Sequence, residues 1–172
     1  MAYGDPRAFG EIVDALVDRT IDYLCGQIDA ATFRCRFSMG AYEPERAQRV
    51  AAERVAAGFT TIKVKVGKNL AEDVERVRVV REAIGPDLEI VIDANCGYDA
   101  ETAIAAIREM APYRVALFEQ PTPDGDYASL ARVRRAIDVP VMADDICFDL
   151  VHARELVRND CCDCINVYPG KN

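Results

Sequence analysis

The sequence predicts an α/β fold, a partial TIM-type (β/α) barrel with about six βα units. Three observations predict it. Short β-branched or apolar runs alternate with longer amphipathic stretches, and no hairpin signal separates them, which points to a parallel sheet. The presumed strand ends Lys65, Asp93, Glu119, Asp144 and Tyr168 recur about every 25 residues, the beat of a repeated βα unit. A charged or polar residue also stands at each of those ends, on the rim where barrels of this type build their sites.

The elements follow in order. Residues 32–38 (TFRCRFS) form a first strand, and a helix over 44–57 starts on Pro44 and leaves through Gly58. Residues 60–66 (TTIKVKV) alternate as a strand should. The next helix, 70–84, has Asn69 as its cap and Glu72 placed to reach back as in a capping box. Residues 88–92 (LEIVI) read as a strand covered on both faces. Asp99 caps a helix running to Met110, and strand 115–118, helix 127–137, strand 139–143, helix 150–158 and strand 164–168 complete the series. Residues 1–31 stand outside this rhythm and contain an amphipathic helix over 9–24; they are expected to be a remnant of a capping region or a linker, with 32–172 as the incomplete barrel. A closed barrel needs eight units. Six strand candidates therefore imply either a truncated barrel or a chain that pairs with a second copy as a homo-oligomer.

Composition narrows the function. Hydrophobic residues make up 51% of the chain, enough to build a core, and no apolar run reaches the roughly 18 residues of a membrane span. A net charge of −8 disfavours a nucleic-acid partner. The start, MAYGDPRAFG, is not a secretory leader, so a cytoplasmic protein with free thiols is expected. Cys161, Cys162 and Cys164 lack the spacing of a zinc knuckle and read as small residues near a strand.

The chemistry concentrates on four strand ends. Lys63 and Lys65 are two apart, so they share one side of their strand; mutual repulsion is expected to pull at least one amine toward neutrality, fit for a base. Asp93 (IDAN), Glu119 (FEQP) and Asp144 (MADD) each follow an apolar strand directly. Three carboxylates from neighbouring strands suit a hard cation such as Mg²⁺, or Mn²⁺, with coordination positions left for a substrate. Together they outline one reaction: a small-molecule carboxylate held by the cation loses the proton on its neighbouring carbon to a lysine.

KVKVG, IDAN, FEQP and MADD, in this order and at these intervals, resemble the enolase superfamily, and within it the muconate cycloisomerase-like branch of the mandelate racemase/muconate lactonizing enzymes. The resemblance covers about Gly40 to Asn172. It implies a Mg²⁺-dependent barrel domain under an N-terminal α+β cap, with proton abstraction and stabilisation of the resulting enediolate in a racemase, epimerase, cycloisomerase or dehydratase. It maps the base onto Lys65, its carboxylate-binding partner onto Lys63, the metal ligands onto Asp93, Glu119 and Asp144, a site-flanking residue onto Asn95, and an adjacent acid onto Asp145. It departs at Tyr168, which stands where the branch usually has a second lysine; Lys171, three residues on, is the weaker substitute. A one-base reaction fits at least as well as a two-lysine racemisation. The rival expectation is an inactive barrel that serves as an assembly or interaction module.

Other features are set aside. His152, the only histidine, falls mid-helix. Gly67-Lys68 and Gly170-Lys171 lack the upstream glycine of a phosphate loop, and Arg132, Arg134 and Arg135 read as a solvated helix face.

Overall fold

The computed structural model describes Gly26 and residues 35–167. The expected N-terminal helix and the first residues of the expected opening strand fall outside them, as do Tyr168 and Lys171. Among the described residues, six strands and five helices alternate: β1 (Arg36–Met39), α1 (Pro44–Ala56), β2 (Thr61–Lys65), α2 (Leu70–Ile84), β3 (Glu89–Asp93), α3 (Ala100–Met110), β4 (Val115–Glu119), α4 (Tyr127–Ala136), β5 (Val141–Ala143), α5 (Leu150–Arg158) and β6 (Cys164–Ile165). A short 3₁₀ turn, Ala111–Tyr113, links α3 to β4. The strands lie in sequence order in one sheet, and every pairing is parallel. This is the α/β, partial-barrel arrangement that the alternating pattern predicts. Strand β5 begins at Val141 rather than Val139, because Pro140 has no N–H to give a ladder.

The period of two along each strand sorts its side chains. Ile62, Val64, Ile90, Ile92 and Phe118 are fully buried and share one core with Ala51, Val77, Val80, Ala103, Ile107 and Leu130 of the helices. Burial of each of the valines, isoleucines, leucine and phenylalanine among them is worth roughly 1.5–3 kcal/mol. The intervening positions, Lys63, Lys65, Asp93 and Glu119, fall on the other face of the sheet.

Asx caps start the four helices after α1, which opens on Pro44 without a side-chain cap. Asp99 accepts from Thr102 N at 2.7 Å, Asp126 from Ser129 N at 3.0 Å, and Asp149 from Val151 N and His152 N. Asn69 caps α2 as expected, accepting from Glu72 N at 3.2 Å. The return bond differs from the expected capping box: the Asn69 N–H donates to Asp73 Oδ2, not to Glu72. Asp73 lies one residue further into the turn and is fully buried, so it reaches the loop from inside. His152 sits in the first turn of α5 with Nδ1 2.8 Å from Asp149 Oδ1, a contact of the cap. Cys161, Cys162 and Cys164 are free thiols, and burial pushes the Cys162 thiol up to about 12.

Two glycines let the rim loops meet. A Cβ on Gly97 would lie 2.1 Å from the Gly67 carbonyl oxygen, and one on Gly67, whose φ is +96°, would lie 2.3 Å from that of Ala94. Only glycine permits the β2–α2 and β3–α3 loops to approach this closely.

Among the described residues, no helix is long and apolar enough to cross a membrane.

Candidate functional site

Register brings the site together. Lys65 is the partner of Asp93 across β2 and β3, and Asp93 is the partner of Glu119 across β3 and β4. Three strand ends therefore form one row, all on the face away from the helices.

Lys63 lies deepest. Its Nζ is 2.8 Å from Asp93 Oδ2 and 2.6 Å from Glu119 Oε1, and its side chain is 11% exposed. Lys65 sits nearer the mouth, 26% exposed, with Nζ 2.5 Å from Asp93 Oδ2 and a second bond to Asn95 Oδ1. Asn95 also donates its backbone N–H to Asp93 Oδ1 at 2.9 Å and its side-chain amide to Asp145 Oδ2 at 3.3 Å. The expected residues Lys63, Lys65, Asp93, Asn95 and Glu119 thus form one connected group.

Asp144 follows the end of β5. Its N–H donates to Gln120 Oε1 at 3.0 Å, and its Oδ1 accepts from Asn166 Nδ2 at 3.0 Å. Among the described residues, no three His, Cys, Asp or Glu side chains are gathered closely enough to hold a metal ion. Asp93 and Glu119 meet through the Lys63 ammonium instead.

The electrostatics follow from burial. Asp93 and Glu119 are both fully buried. Burial drives the Asp93 pKa upward, but hydrogen bonds from Lys63 and Lys65 outweigh it and hold the carboxyl below its usual range. Glu119 is pushed above its usual value, first by burial and then by the neighbouring Asp93 charge, against the pull of Lys63. Lys63 does not move in the direction expected of at least one lysine of the pair. Burial works to lower its pKa, yet Asp93 and Glu119 raise it, because carboxylates and not a second ammonium are its nearest charges.

The residues that could hold a hard cation are Asp93, Glu119 and Asp144. Their chemistry fits one: Glu119 Oε2 is buried with no hydrogen-bond partner, 3.7 Å from Arg36 Nη2. An orphaned carboxylate oxygen is costly, and oxygen of this kind is what Mg²⁺ takes.

Several participants were not singled out from the sequence. Gln120 is fully buried at φ +39°. Its side chain accepts from Asp144 N and Ile146 N and donates to Thr122 O, tying the β4 exit to the β5 exit. Asn166, just past β6, bonds Asp144, and Arg36 of β1 pairs with Glu119. The glutamine in FEQP was the available signal, since an amide beside a strand-end acid is well suited to bracing loop N–H groups.

A parallel βα sheet with a lysine pair at the end of one strand and an acid at or just past the end of each of the next three defines a class, the (β/α)-barrel proteins with a lysine–carboxylate rim. The family model described as enolase C-terminal domain-like matches residues 46–172. The chain belongs to this family, among the mandelate racemase/muconate lactonizing proteins of the enolase superfamily. It is 38% identical over 130 residues to the hydrophobic dipeptide epimerase of Enterococcus faecalis, covering 76% of this chain and 37% of that protein. To the D-Ala-D/L-Ala epimerase of Cytophaga hutchinsonii it is 37% identical over 130 residues, covering 76% and 35%. The crystal structure of the Enterococcus faecalis dipeptide epimerase complexed with Mg and the dipeptide L-Leu-L-Tyr superposes with a TM-score of 0.78 at 37% identity, over 79% of this chain and 38% of that one. The chain thus spans a little over a third of the length of these relatives.

Proposed function

We propose that this site takes part in abstraction of the proton beside a carboxylate, in a racemase or epimerase acting on dipeptides or related acylated amino acids. The observation that carries the reading is the row Lys65–Asp93–Glu119, in which a partly exposed amine meets a buried carboxylate on the adjacent strand. Lys65 is the base. Its bonds to Asp93 and Asn95 are those of the ammonium left after proton uptake, so both residues aim the amine and stabilise the charge it gains. Lys63 is buried and stays cationic; it offsets the acids and favours a substrate carboxylate nearby. Asp93, Glu119 and Asp144 would hold Mg²⁺, with Mn²⁺ as the substitute. When bound, that ion would supply positive charge to the substrate carboxylate as its α-proton leaves. Tyr168 would serve as a proton donor or as a group that orients the substrate, and Lys171 as a further substrate contact, both by their place in the sequence. Dehydration or cycloisomerisation needs only the Lys65 face.

The relatives support this reading, being epimerases and, in one crystal structure, a complex with Mg and a dipeptide. One observation favours a second reading, a barrel that serves as an assembly module: the three acids do not gather into a ready cation site.

One experiment separates them. The protein is melted with and without millimolar Mg²⁺, then incubated in D₂O with dipeptides and N-acyl amino acids, alongside Lys65→Ala. Mg²⁺ should raise the melting temperature of both proteins. Only the wild type should take up deuterium at the α-carbon. No Mg²⁺ effect and no uptake would leave the assembly module as the answer.

A further inference from the structure

Asp73 of α2 is a fully buried charge, and nothing in the site just described uses it. Its Oδ2 accepts from three successive loop amides, Gly67 N at 2.9 Å, Lys68 N at 3.0 Å and Asn69 N at 3.2 Å. It also accepts from Tyr98 Oη at 2.6 Å. Its Oδ1 takes Arg76 Nη1 at 2.5 Å. Arg76, only 3% exposed, also donates Nε to Tyr42 O at 2.5 Å and Nη1 to Lys65 O at 3.2 Å.

The cluster therefore clamps three rim loops, those after β1, β2 and β3. Tyr98 extends it to a fourth, because its backbone N–H donates to Pro121 O at 3.1 Å. Burial and the Asp73 carboxylate raise the Tyr98 pKa, so its hydroxyl remains a donor at neutral pH. A buried ion pair is weak stabiliser in itself, since apolar residues of like volume often serve as well. What this one supplies is position. The exit of β2 is held on the sheet side by Val66 N donating to Asp93 O at 2.9 Å, and on the helix side by Arg76 at the Lys65 carbonyl.

We propose that Arg76, backed by Asp73 and Tyr98, is a positioning residue that fixes the Lys65 backbone so that its amine meets Asp93 and Asn95. Lys63 does not depend on this clamp, being held by Asp93 and Glu119 further down the strand. Only the effect on turnover rests on the reading of Lys65 as a base; the geometric claim does not.

The test uses lysine side-chain ¹⁵N labelling. The chain has four lysines, so their ammonium signals can be assigned by substitution. Arg76→Met and Tyr98→Phe should shift the Lys65 ammonium signal, or broaden it by faster proton exchange, while that of Lys63, which shares Asp93 Oδ2 but is also held by Glu119, persists and moves less. If Arg76→Met does not fold, Tyr98→Phe alone decides. An unmoved Lys65 signal in the folded variants overturns the proposal. So does joint loss of both signals, which would make the cluster a general prop.

In the deuterium assay, the same variants should lose about tenfold or more in turnover at saturating substrate, with KM changed by less than about twofold. The two failures are distinguishable. A wild type without Mg²⁺-dependent uptake sinks the proposed reaction and leaves the Lys65 signal to decide the positioning. Wild-type uptake with an unmoved Lys65 signal sinks the positioning alone.

Discussion

Lys63 Nζ lies 2.6 Å from Glu119 Oε1, although β3 runs between their two strands. The ammonium reaches across Asp93, which it also contacts at 2.8 Å, so one buried cation is shared by two buried carboxylates. This neutralisation lets the sheet carry two fully buried acids side by side, and it sets what each perturbation should do.

Lys63→Met removes that cation and leaves Asp93 and Glu119 buried with too little compensation. Breaking a buried pair in this way costs about 3–5 kcal/mol. The variant should melt well below wild type in EDTA. If the acids also hold a divalent ion, Mg²⁺ should restore more of its melting temperature than it adds to the wild type. An equal deficit with and without Mg²⁺ would show that no cation replaces the ammonium there.

Alkaline pH should destabilise the fold in two stages. Burial raises the pKa of Cys96, Cys161, Cys162 and Cys164, and that of Tyr98 is raised by burial and by Asp73. Lys63 is raised by its carboxylates against burial. A raised folded-state pKa gives stability that is intact below the unfolded value and lost as pH climbs through the folded one. The decline should begin near the ordinary thiol value of about 8.5 and steepen beyond about 10, where tyrosine and lysine titrate. Melting curves from pH 7 to 11 would show it. Tyr98→Phe should lose less stability than wild type over the upper stage, and parallel curves would exclude a contribution from Tyr98.

Gln120→Leu keeps the bulk of a fully buried side chain but strips the acceptor from Asp144 N and Ile146 N. Two backbone donors left unpaired cost roughly 2–6 kcal/mol. Urea unfolding should shift its midpoint accordingly. The Mg²⁺-induced rise in melting temperature should shrink as well, because Asp144 would lose its backbone anchor. A variant with the wild-type midpoint would show that the amide does not hold the β5 exit.

Much of the architecture was legible from local signals. The alternation in TTIKVKV places β2 within a residue of its observed limits, and Asn69 and Asp99 cap the helices they were expected to cap. These features depend on a few neighbouring residues, so the chain carries them explicitly. Asp73 and Arg76 were not legible, because a spacing of three on a helix ordinarily marks a solvated pair, and only the packed loops above α2 show that this pair is enclosed. The direction of the Lys63 pKa is not legible in the sequence for the same reason: Lys65 is its neighbour along the chain, but Asp93 and Glu119 are its neighbours in space.

The sequence by itself determined the order of strands and helices, the face on which the lysines and acids stand, and the family to which they belong. The tertiary structure decided which charges touch, which are buried, and that Lys63 bridges Asp93 and Glu119 while Asp144 is held by Gln120 and Asn166. The division is physical. Periodicity and capping act over a few residues, whereas the strength and sign of an electrostatic interaction depend on separation and solvent exclusion, and those are set only when the strands pair in register.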